Sequence, residues 1–152
     1  MRMDCPAEVV VREFRDEDRP AWLRLRQELW PDSDEAEAAE WCAREDAITL
    51  LAESPEGGVI GFAEVAERPY ADGCDTSPVA FLEGWYVRPS HRKRNVGACL
   101  VQAAMRWARE RGLQELASDS LLEDVAANGA HRSVGFEEVE RSVKYRMGLE
   151  GM

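Results

Sequence analysis

The chain has 152 residues, of which 45% are apolar, and its formal net charge is −11. That length suits one compact domain with a substantial core, and the apolar content excludes a disordered chain. No apolar run reaches the roughly 20 residues that a membrane-spanning helix needs. We therefore expect a single domain over residues 1–152. Since no apolar signal core follows the first residues, a cytoplasmic location is expected.

The excess of acidic residues also indicates which classes of partner the protein can bind. Nucleic-acid binding requires a broad basic face, which this composition does not favour, so no nucleic acid and no membrane are expected as partners. Long-range attraction would instead favour a cationic small molecule.

The first half of the chain predicts a strand, two helices and a hairpin. Trp22, Leu25 and Leu29 recur at helical spacing, and Pro55-Glu56-Gly57-Gly58 is typical of a hairpin turn. The elements are a strand at Glu8–Arg15, a helix that Asp16-Glu17-Asp18 caps and Pro31 ends, an acidic helix from Asp34 to Glu45, and strands at Ala47–Glu53 and Val59–Glu67.

The second half predicts a strand–helix–strand crossover. Its elements are a strand at Val79–Val87, a helix from Val96 to about Arg111, a strand at Glu115–Ser120, a short helix from Asp124 to Val134, and a final hairpin or strand ending near Leu149. The two strands that flank the long helix should be adjacent and parallel. The whole order predicts an α/β fold with a mixed sheet and helices on both faces.

The segment from Val87 to Ala98 is the most informative part of the chain. It joins an apolar strand to a helix and carries four Lys/Arg residues and one histidine between Arg88 and Arg94. Backbone N–H groups at a helix N-terminus bind anions, so this loop predicts a phosphate site. It contains neither the nucleotide-triphosphate P-loop pattern nor the G-x-G-x-x-G pattern.

The four cysteines are Cys5, Cys42, Cys74 and Cys99. They form no C-x-x-C pair, and with two histidines in the chain a zinc site is not expected. We interpret all four as free thiols. A role for Cys99 as a covalent nucleophile is rejected, because the sequence places no histidine beside it.

Arg92, Asn95 and Gly97 form an R-x-x-N-x-G pattern that resembles the acetyl-CoA pyrophosphate loop of the GNAT superfamily, [QR]-x-x-G-x-[GA]. Asn95 replaces the first glycine, and asparagine tolerates the left-handed backbone that such a turn needs. The resemblance implies a GNAT-like fold with a splayed parallel strand pair and acetyl-CoA as cosubstrate, without a metal. The implied cofactor-binding residues are Trp85, Tyr86, Val87, Arg92, Lys93, Arg94, Asn95, Val96, Gly97, Ala98, Asp124 and His131.

Four further segments are similar to the bacterial aminoglycoside 6′-N-acetyltransferases, which confer antibiotic resistance. They are Leu29-Trp30-Pro31-Asp32, the run Ser77 to Gly84, Ala117-Ser118-Asp119, and Gly135-Phe136 with the residues up to Arg141. This resemblance implies direct attack of a substrate amine on the acetyl thioester and suggests a homodimer. The implied substrate-binding residues are Trp30, Tyr70, Asp72, Glu83, Asp119 and Glu140.

Two carboxylates are candidates for proton transfer from the amine. Glu83 interrupts an apolar strand, and Gly84 beside it indicates a bulge or a close backbone approach. Asp119 ends the neighbouring parallel strand, where ligands bind in open α/β sheets. By resemblance both bind ammonium groups, and Asp119 is the first choice as base. The alternatives are a solvated carboxylate at Glu83 and a turn or helix-capping carboxylate at Asp119.

The short helix departs from the family pattern, because Asp124 and His131 stand where many members carry an asparagine and a tyrosine. An imidazole could donate a proton to the departing thiolate, so His131 is a candidate acid. A packing histidine is the alternative, and Tyr145 is a weaker substitute. The acidic stretch Asp32–Asp46 either recognises a cationic substrate or is a solvated helix face.

Two other functions stay open from the sequence. One is an acetyltransferase for another cationic amine, such as a polyamine or a peptide N-terminus. The other is a non-catalytic acyl-CoA-binding module, which the substitutions at Asn95, Asp124 and His131 leave possible.

Overall fold

The structure is a computed structural model that describes residues 5–6, 8–92 and 94–151. Its helices are α1 Arg19–Leu29, α2 Glu35–Cys42, α3 Val96–Glu110 and α4 Val125–Ser133. Its strands are β1 Val10–Glu13, β2 Ala47–Glu53, β3 Val59–Arg68, β4 Val79–Val87 and β5 Leu116–Ser118. The chain divides into two compact units, residues 1–119 and 120–152, and each is described by itself.

The first unit contains a five-stranded sheet in the order β1-β2-β3-β4-β5. The first three pairings are antiparallel, and β4 pairs with β5 in parallel, as the crossover through α3 requires. The predicted α/β class, with a mixed sheet and one parallel pair, is confirmed.

Helices cover both faces of this sheet because successive strand residues point to opposite sides. Phe62 is buried in a cluster with Trp22 and Leu25 of α1 and with Ala38 of α2. Its neighbour Gly61 faces the other way, and a side-chain carbon there would lie 3.4 Å from Leu100 of α3. The expected placement of helices on both faces is therefore also confirmed.

The start of α1 is tied to β1 by one carboxylate. Asp18 accepts two hydrogen bonds from the Arg12 guanidinium, at 2.7 and 2.8 Å, and a third from the backbone N–H of Arg15 at 2.8 Å. Asp18 is buried, and the hydrogen bonds from Arg12 lower the pKa of its carboxyl. This contact fixes where α1 leaves the first strand.

The pairing of β3 with β4 is irregular at Glu83. Glu64 pairs with Gly84 and Val65 pairs with Leu82, so Glu83 is an extra residue on β4. This confirms the bulge that Gly84 predicted. Bulges re-aim side chains and increase local twist, and they are common beside active sites.

Two expectations from the sequence were wrong. Residues 136–149 form no strand, although the alternation of apolar residues there is typical of one. Cys5 and Cys99 are joined in a disulfide, with a Cα–Cα distance of 5.6 Å, while Cys42 and Cys74 are free thiols. A separation of 94 residues gave no spacing pattern from which the sequence could indicate the Cys5–Cys99 pair.

None of the helices formed by the described residues has the length and apolar content that crossing a bilayer requires.

Candidate active site at the opening of the β4–β5 pair

Strands β4 and β5 part within the sheet. Their parallel ladder runs from Ala80–Leu116 to Leu82–Ser118. β4 then continues to Val87, and none of the described residues forms a ladder with it on that side. The Ser118 hydroxyl donates to the Leu82 carbonyl at 3.4 Å, at the point of separation. Backbone polar groups of β4 beyond this point are thus available to a ligand between the strands.

The helix that follows β4 begins at a residue in the left-handed region. Asn95 caps α3 with φ 63° and is the sole non-glycine residue with positive φ among the residues described. The first intrahelical hydrogen bond runs from the Cys99 N–H to the Asn95 carbonyl. The N–H groups of the first turn therefore have no acceptor within the helix, and no acidic side chain occupies that turn.

The loop before α3 is held against β4. The Arg92 side chain donates through Nε to the Val87 carbonyl at 2.8 Å, and the Trp85 indole donates to the Gly97 carbonyl at 3.1 Å. A side-chain carbon at Gly97 would lie 3.1 Å from the Trp85 ring, so Gly97 allows strand and helix to approach closely. Arg94 is exposed.

These features fit a pyrophosphate, since they combine unpaired backbone donors, a positive helix end and exposed guanidinium groups. The loop residues Arg92, Asn95, Val96, Gly97 and Ala98 lie in the loop and the first turn of α3. Lys93, also predicted to bind the cofactor, lies outside the described residues. The Tyr86 hydroxyl donates to Glu28 of α1 at 2.8 Å, and the Arg92 guanidinium carbon lies 5.5 Å from the centroid of the Tyr86 ring.

Glu83 is not a solvated carboxylate. Its side chain is 21% exposed, and both of its oxygens accept hydrogen bonds from Arg68, at 2.6 and 2.7 Å. The Arg68 guanidinium also lies over the Phe81 ring, 3.5 Å from its centroid. Hydrogen bonding to Glu83 raises the pKa of Arg68, and the charge of Asp119 acts in the same direction.

Trp30 reaches the bulge from the end of α1. A side-chain carbon on Gly84 would lie 2.5 Å from the Trp30 ring, so the neighbour that comes close to Gly84 is this indole and not a backbone segment. Arg26 lies between two rings, with its guanidinium carbon 5.0 Å from the Trp30 centroid and 5.2 Å from that of Trp22. The indole is thereby fixed at the wall of the site.

A buried ion pair holds Arg26 in place. Its guanidinium donates to both oxygens of Glu64, at 2.7 and 3.0 Å, and the Trp22 indole donates to Glu64 at 3.0 Å. Burial raises the pKa of Glu64, and the hydrogen bonds from Arg26 and Trp22 act in the opposite direction. The ion pair with Glu64 therefore holds Arg26 against the Trp30 ring.

A cavity of about 610 Å³ lies beside the bulge. Its lining combines five carboxylates with three arginines and two indoles. These residues are Arg26, Trp30, Glu37, Trp41, Arg44, Asp46, Glu64, Glu67, Arg68, Pro69 and Glu83. Such a surface is suited to a hydrophilic cation with rings that can lie against an indole.

The sequence identified only part of this cavity. Of the predicted substrate-binding residues, Trp30 and Glu83 line it, while Tyr70 and Asp72 are exposed loop residues outside the described lining. Asp119 follows directly after β5 and is exposed. Arg26, Glu64 and Arg68 were missed, although Glu64 carried the same signal as Glu83, a carboxylate within an apolar strand.

The second unit carries the remaining predicted residues. The Asp124 side chain accepts from the Ala127 N–H at 3.0 Å and so caps α4. His131 contacts the Ala127 carbonyl through Nδ1 at 2.7 Å, and its ring lies 5.3 Å from that of Phe136. Glu140 and Tyr145 are exposed in the segment without regular structure.

The described residues contain no group of three His, Cys, Asp or Glu side chains that could hold a metal ion. Cys99 is oxidised in the disulfide with Cys5, which agrees with its rejection as a nucleophile.

Comparison with known proteins decides the family. The model of the acetyltransferase (GNAT) family matches residues 11–136 of this chain. The chain belongs to the GNAT acetyltransferase family. It is therefore an acetyl-CoA-dependent N-acetyltransferase, as the pyrophosphate-loop pattern and the parted strands indicated.

Within this GNAT family the chain is similar to aminoglycoside-modifying members. It is 46% identical over 143 residues to an aminoglycoside N(6′)-acetyltransferase type 1 of Stenotrophomonas maltophilia, which covers 92% of this chain and 94% of the relative. It is 44% identical over 147 residues to the enzyme of that name from Klebsiella aerogenes, covering 92% of this chain and 97% of the relative.

Solved structures give the same result. The aminoglycoside antibiotic 6′-N-acetyltransferase AAC(6′)-Ih from Acinetobacter baumannii superposes with a TM-score of 0.87 at 32% identity, covering 93% of this chain and 99% of that one. AAC(6′)-Iy in complex with the bisubstrate analogue CoA-S-monomethyl-acetylneamine also gives 0.87, at 37% identity and with the same coverage.

Proposed function

We propose that this GNAT enzyme transfers the acetyl group of acetyl-CoA to the 6′-amine of aminoglycoside antibiotics and thereby confers resistance. The observation that carries the proposal is the acid-rich cavity walled by Trp30 and Glu83, beside the opening of β4 and β5. Polycationic amino sugars complement the acidic lining of this cavity, and their rings can pack against the indole in its wall. Relatives at 44–46% identity bear the name of this activity.

The first turn of α3 and the loop before it are proposed to hold the diphosphate of the cosubstrate. Acetyl-CoA supplies an acetyl thioester as the group donor. The chain supplies backbone N–H groups from Val96 onward, and the guanidinium groups of Arg92 and Arg94 as counter-charges. Lys93 is proposed to join them.

The attacking amine must lose a proton, since a primary ammonium has no lone pair for attack. We propose that Glu83 and Asp119 bind the ammonium groups and that Asp119 accepts the proton directly or through water. A backbone N–H within Trp85–Val87 is proposed to donate to the oxyanion, because β4 has no ladder partner on that side.

His131 is proposed to supply a proton to the departing thiolate, with Asp124 at the start of the same helix. Since the Ala127 carbonyl can only accept, Nδ1 of His131 carries a proton. A transferable proton must then sit on Nε2 of the imidazolium form. Tyr70, Asp72 and Glu140 are proposed to contact the sugar from their exposed positions.

A homodimer and a cytoplasmic location complete the proposal. Residues 139–149 expose Val139, Val143, Tyr145, Met147 and Leu149, which alternate along the segment and would be covered by a second copy. Acetyl-CoA is a metabolite of the cell interior, which supports the location. The family match, which runs through residues 11–136, supports a single GNAT domain.

A screen of acceptors tests the substrate class. Purified protein is incubated with acetyl-CoA and with kanamycin, tobramycin, spermidine or a peptide with a free N-terminus, and thiol release is followed. We expect turnover with both antibiotics and one added acetyl group at the 6′-amine. Turnover with spermidine or peptide alone would instead identify another amine acetyltransferase. Coenzyme A binding without turnover of any amine would identify a binding module.

A further inference from the structure

Arg68 and Glu83 form an ion pair at the place where the substrate amine is proposed to bind. We propose that the Arg68 guanidinium occupies the ammonium position on Glu83 in the free enzyme and leaves it when a cationic substrate binds. This inference rests on the proposed function. It assigns to Arg68 the role of an internal competitor that sets substrate affinity.

In the free enzyme the Glu83 carboxylate already accepts hydrogen bonds from Arg68. Nε of Arg68 donates to one oxygen of Glu83 and Nη2 donates to the other, so the guanidinium engages both oxygens. An incoming ammonium would meet a carboxylate whose charge is neutralised and whose best acceptor positions are filled. Arg68 therefore competes with an incoming ammonium for the charge of Glu83 and for one acceptor site on each oxygen.

Arg68 can separate from its carboxylate partner, whereas Arg26 cannot. The Arg26 and Glu64 side chains are 4% and 1% exposed, and separating two charges at such burial is strongly unfavourable. The Arg68 side chain is 41% exposed at the cavity wall, where ion pairs are weak and water can solvate a released guanidinium. An exchange of one cation for another is thus feasible at Glu83 and not at Glu64.

A second carboxylate attracts the guanidinium that Glu83 releases. The charge of Asp119 acts on Arg68, whose guanidinium carbon lies 3.5 Å from the Phe81 centroid. Arg68 therefore experiences the charge of both carboxylates that are proposed to receive the substrate. A polycation can engage Glu83 and Asp119 together, and so is better placed than a monocation to displace it.

Arg44 provides a matched control. It lines the same cavity and forms an analogous ion pair, with Asp46 at 2.9 Å, and its side chain is 38% exposed. The charge of Glu83 also acts on Arg44, whose guanidinium donates to both oxygens of Asp46. Arg44→Gln and Arg68→Gln thus remove the same charge from the same cavity, but only the second removes the paired hydrogen bonds to Glu83.

The test is the affinity for kanamycin, measured by calorimetry on the CoA complex, together with steady-state kinetics. For Arg68→Gln we expect the Kd and KM of kanamycin to fall at least threefold, with kcat within about twofold of the wild type. Arg44→Gln should lower the Kd by less than half that factor. In a Glu83→Gln background, Arg68→Gln should act no more strongly than Arg44→Gln, because the carboxylate to be freed is gone.

Arg68→Lys guards against a folding defect in Arg68→Gln, and thermal unfolding checks both variants. Lysine keeps the charge but loses the paired hydrogen bonds, so its Kd should lie between those of wild type and Arg68→Gln. An unchanged or weaker affinity in both variants would mean that the pair is a permanent clamp that orients Glu83, and would overturn the exchange. Equal tightening in Arg44→Gln would do so as well.

The proposed function fails in a different way. If the wild-type enzyme neither binds nor acetylates any aminoglycoside, the substrate class is wrong and the exchange falls with it. If the wild type acetylates kanamycin and Arg68→Gln does not tighten its binding, only the exchange is refuted.

Discussion

Asn95 shows how a single residue can decide the shape of the cofactor loop. The family pattern has glycine at this position, and the backbone of Asn95 lies in the left-handed region with φ 63°. Asparagine tolerates that region because its short polar side chain can bond locally, whereas a β-branched side chain is strained there. The sequence predicted this conformation from one substitution in a motif.

Exchanging Asn95 tests that conformation. Asn95→Gly should keep or improve the affinity for coenzyme A, and Asn95→Val should weaken it about 5- to 30-fold, since a left-handed β-branched residue costs roughly 1–2 kcal/mol or more. Calorimetric titration with coenzyme A measures both. The same Kd for glycine, asparagine and valine would show that the turn does not position the helix N-terminus.

Gly84 sets the position of the Trp30 indole, because a side-chain carbon there would come within 2.5 Å of the ring. Gly84→Ala should therefore displace Trp30 and raise the KM for aminoglycosides about tenfold, while the Kd of coenzyme A stays the same. Gly58→Ala is the control, since a side-chain carbon there meets its nearest neighbour at 3.8 Å. Equal KM values for Gly84→Ala and wild type would remove Trp30 from the substrate wall.

The candidate site was partly predictable residue by residue. Glu83 was identified because a carboxylate within an apolar strand is unusual unless it is exposed or paired. In the structure it is paired with Arg68. Arg68 itself carried no signal, since it ends a strand before a loop where arginine is ordinary. Arg26 was hidden in the same way, because a charged residue on a helix is expected to be exposed.

At the scale of elements, hydrophobic periodicity predicted nearly every helix and strand to within a few residues. β2 and β4 were predicted with the bounds that they have, whereas β5, at Leu116–Ser118, is shorter than the predicted strand Glu115–Ser120. The final strand was wrong. Its alternating pattern is real, but pairing depends on a partner strand, and a sequence pattern cannot say whether that partner lies in the same chain.

Asp18 joins two elements, and its effect on stability should depend on pH. Hydrogen bonds from Arg12 lower the pKa of Asp18 below its ordinary value of about 3.9, so its contribution is complete above that pH and is lost as pH falls through the folded-state pKa. Asp18→Asn should destabilise the protein by about 1–3 kcal/mol at pH 7. The difference from wild type should shrink as pH falls below about 4.

Urea unfolding at pH 7 and pH 3 measures this difference. Asp16→Asn is the control in the same turn, and because Asp16 is exposed its replacement should change the free energy of unfolding by less than about 0.5 kcal/mol. A difference between Asp18→Asn and wild type that is the same at both pH values would contradict the role assigned to the ion pair.

At the scale of the whole molecule, the exposed C-terminal segment bears on assembly. Val143 and Tyr145 are 75% and 91% exposed. We expect analytical ultracentrifugation to give twice the mass of the chain, and Val143→Asp with Tyr145→Asp to shift the protein toward monomer. Lys144→Gln, at the intervening position, should leave the mass unchanged. A wild-type monomer at micromolar concentration would contradict the homodimer.

Negative and positive charges lie in different parts of the molecule. The chain carries a net −11, yet the segment before α3 is cationic, so a polycationic amine and a diphosphate are attracted to different places. Acetyl transfer requires that both places are occupied together, with the acetyl group between them at the opening of β4 and β5.

A coenzyme A–aminoglycoside conjugate tests that requirement most directly, because it spans both places in one molecule. If the diphosphate and the amino sugar bind beside each other, linking them should lower the calorimetric Kd about a hundredfold or more below that of coenzyme A alone. A conjugate that binds no more tightly than coenzyme A would show that the acid-rich cavity does not receive the acceptor.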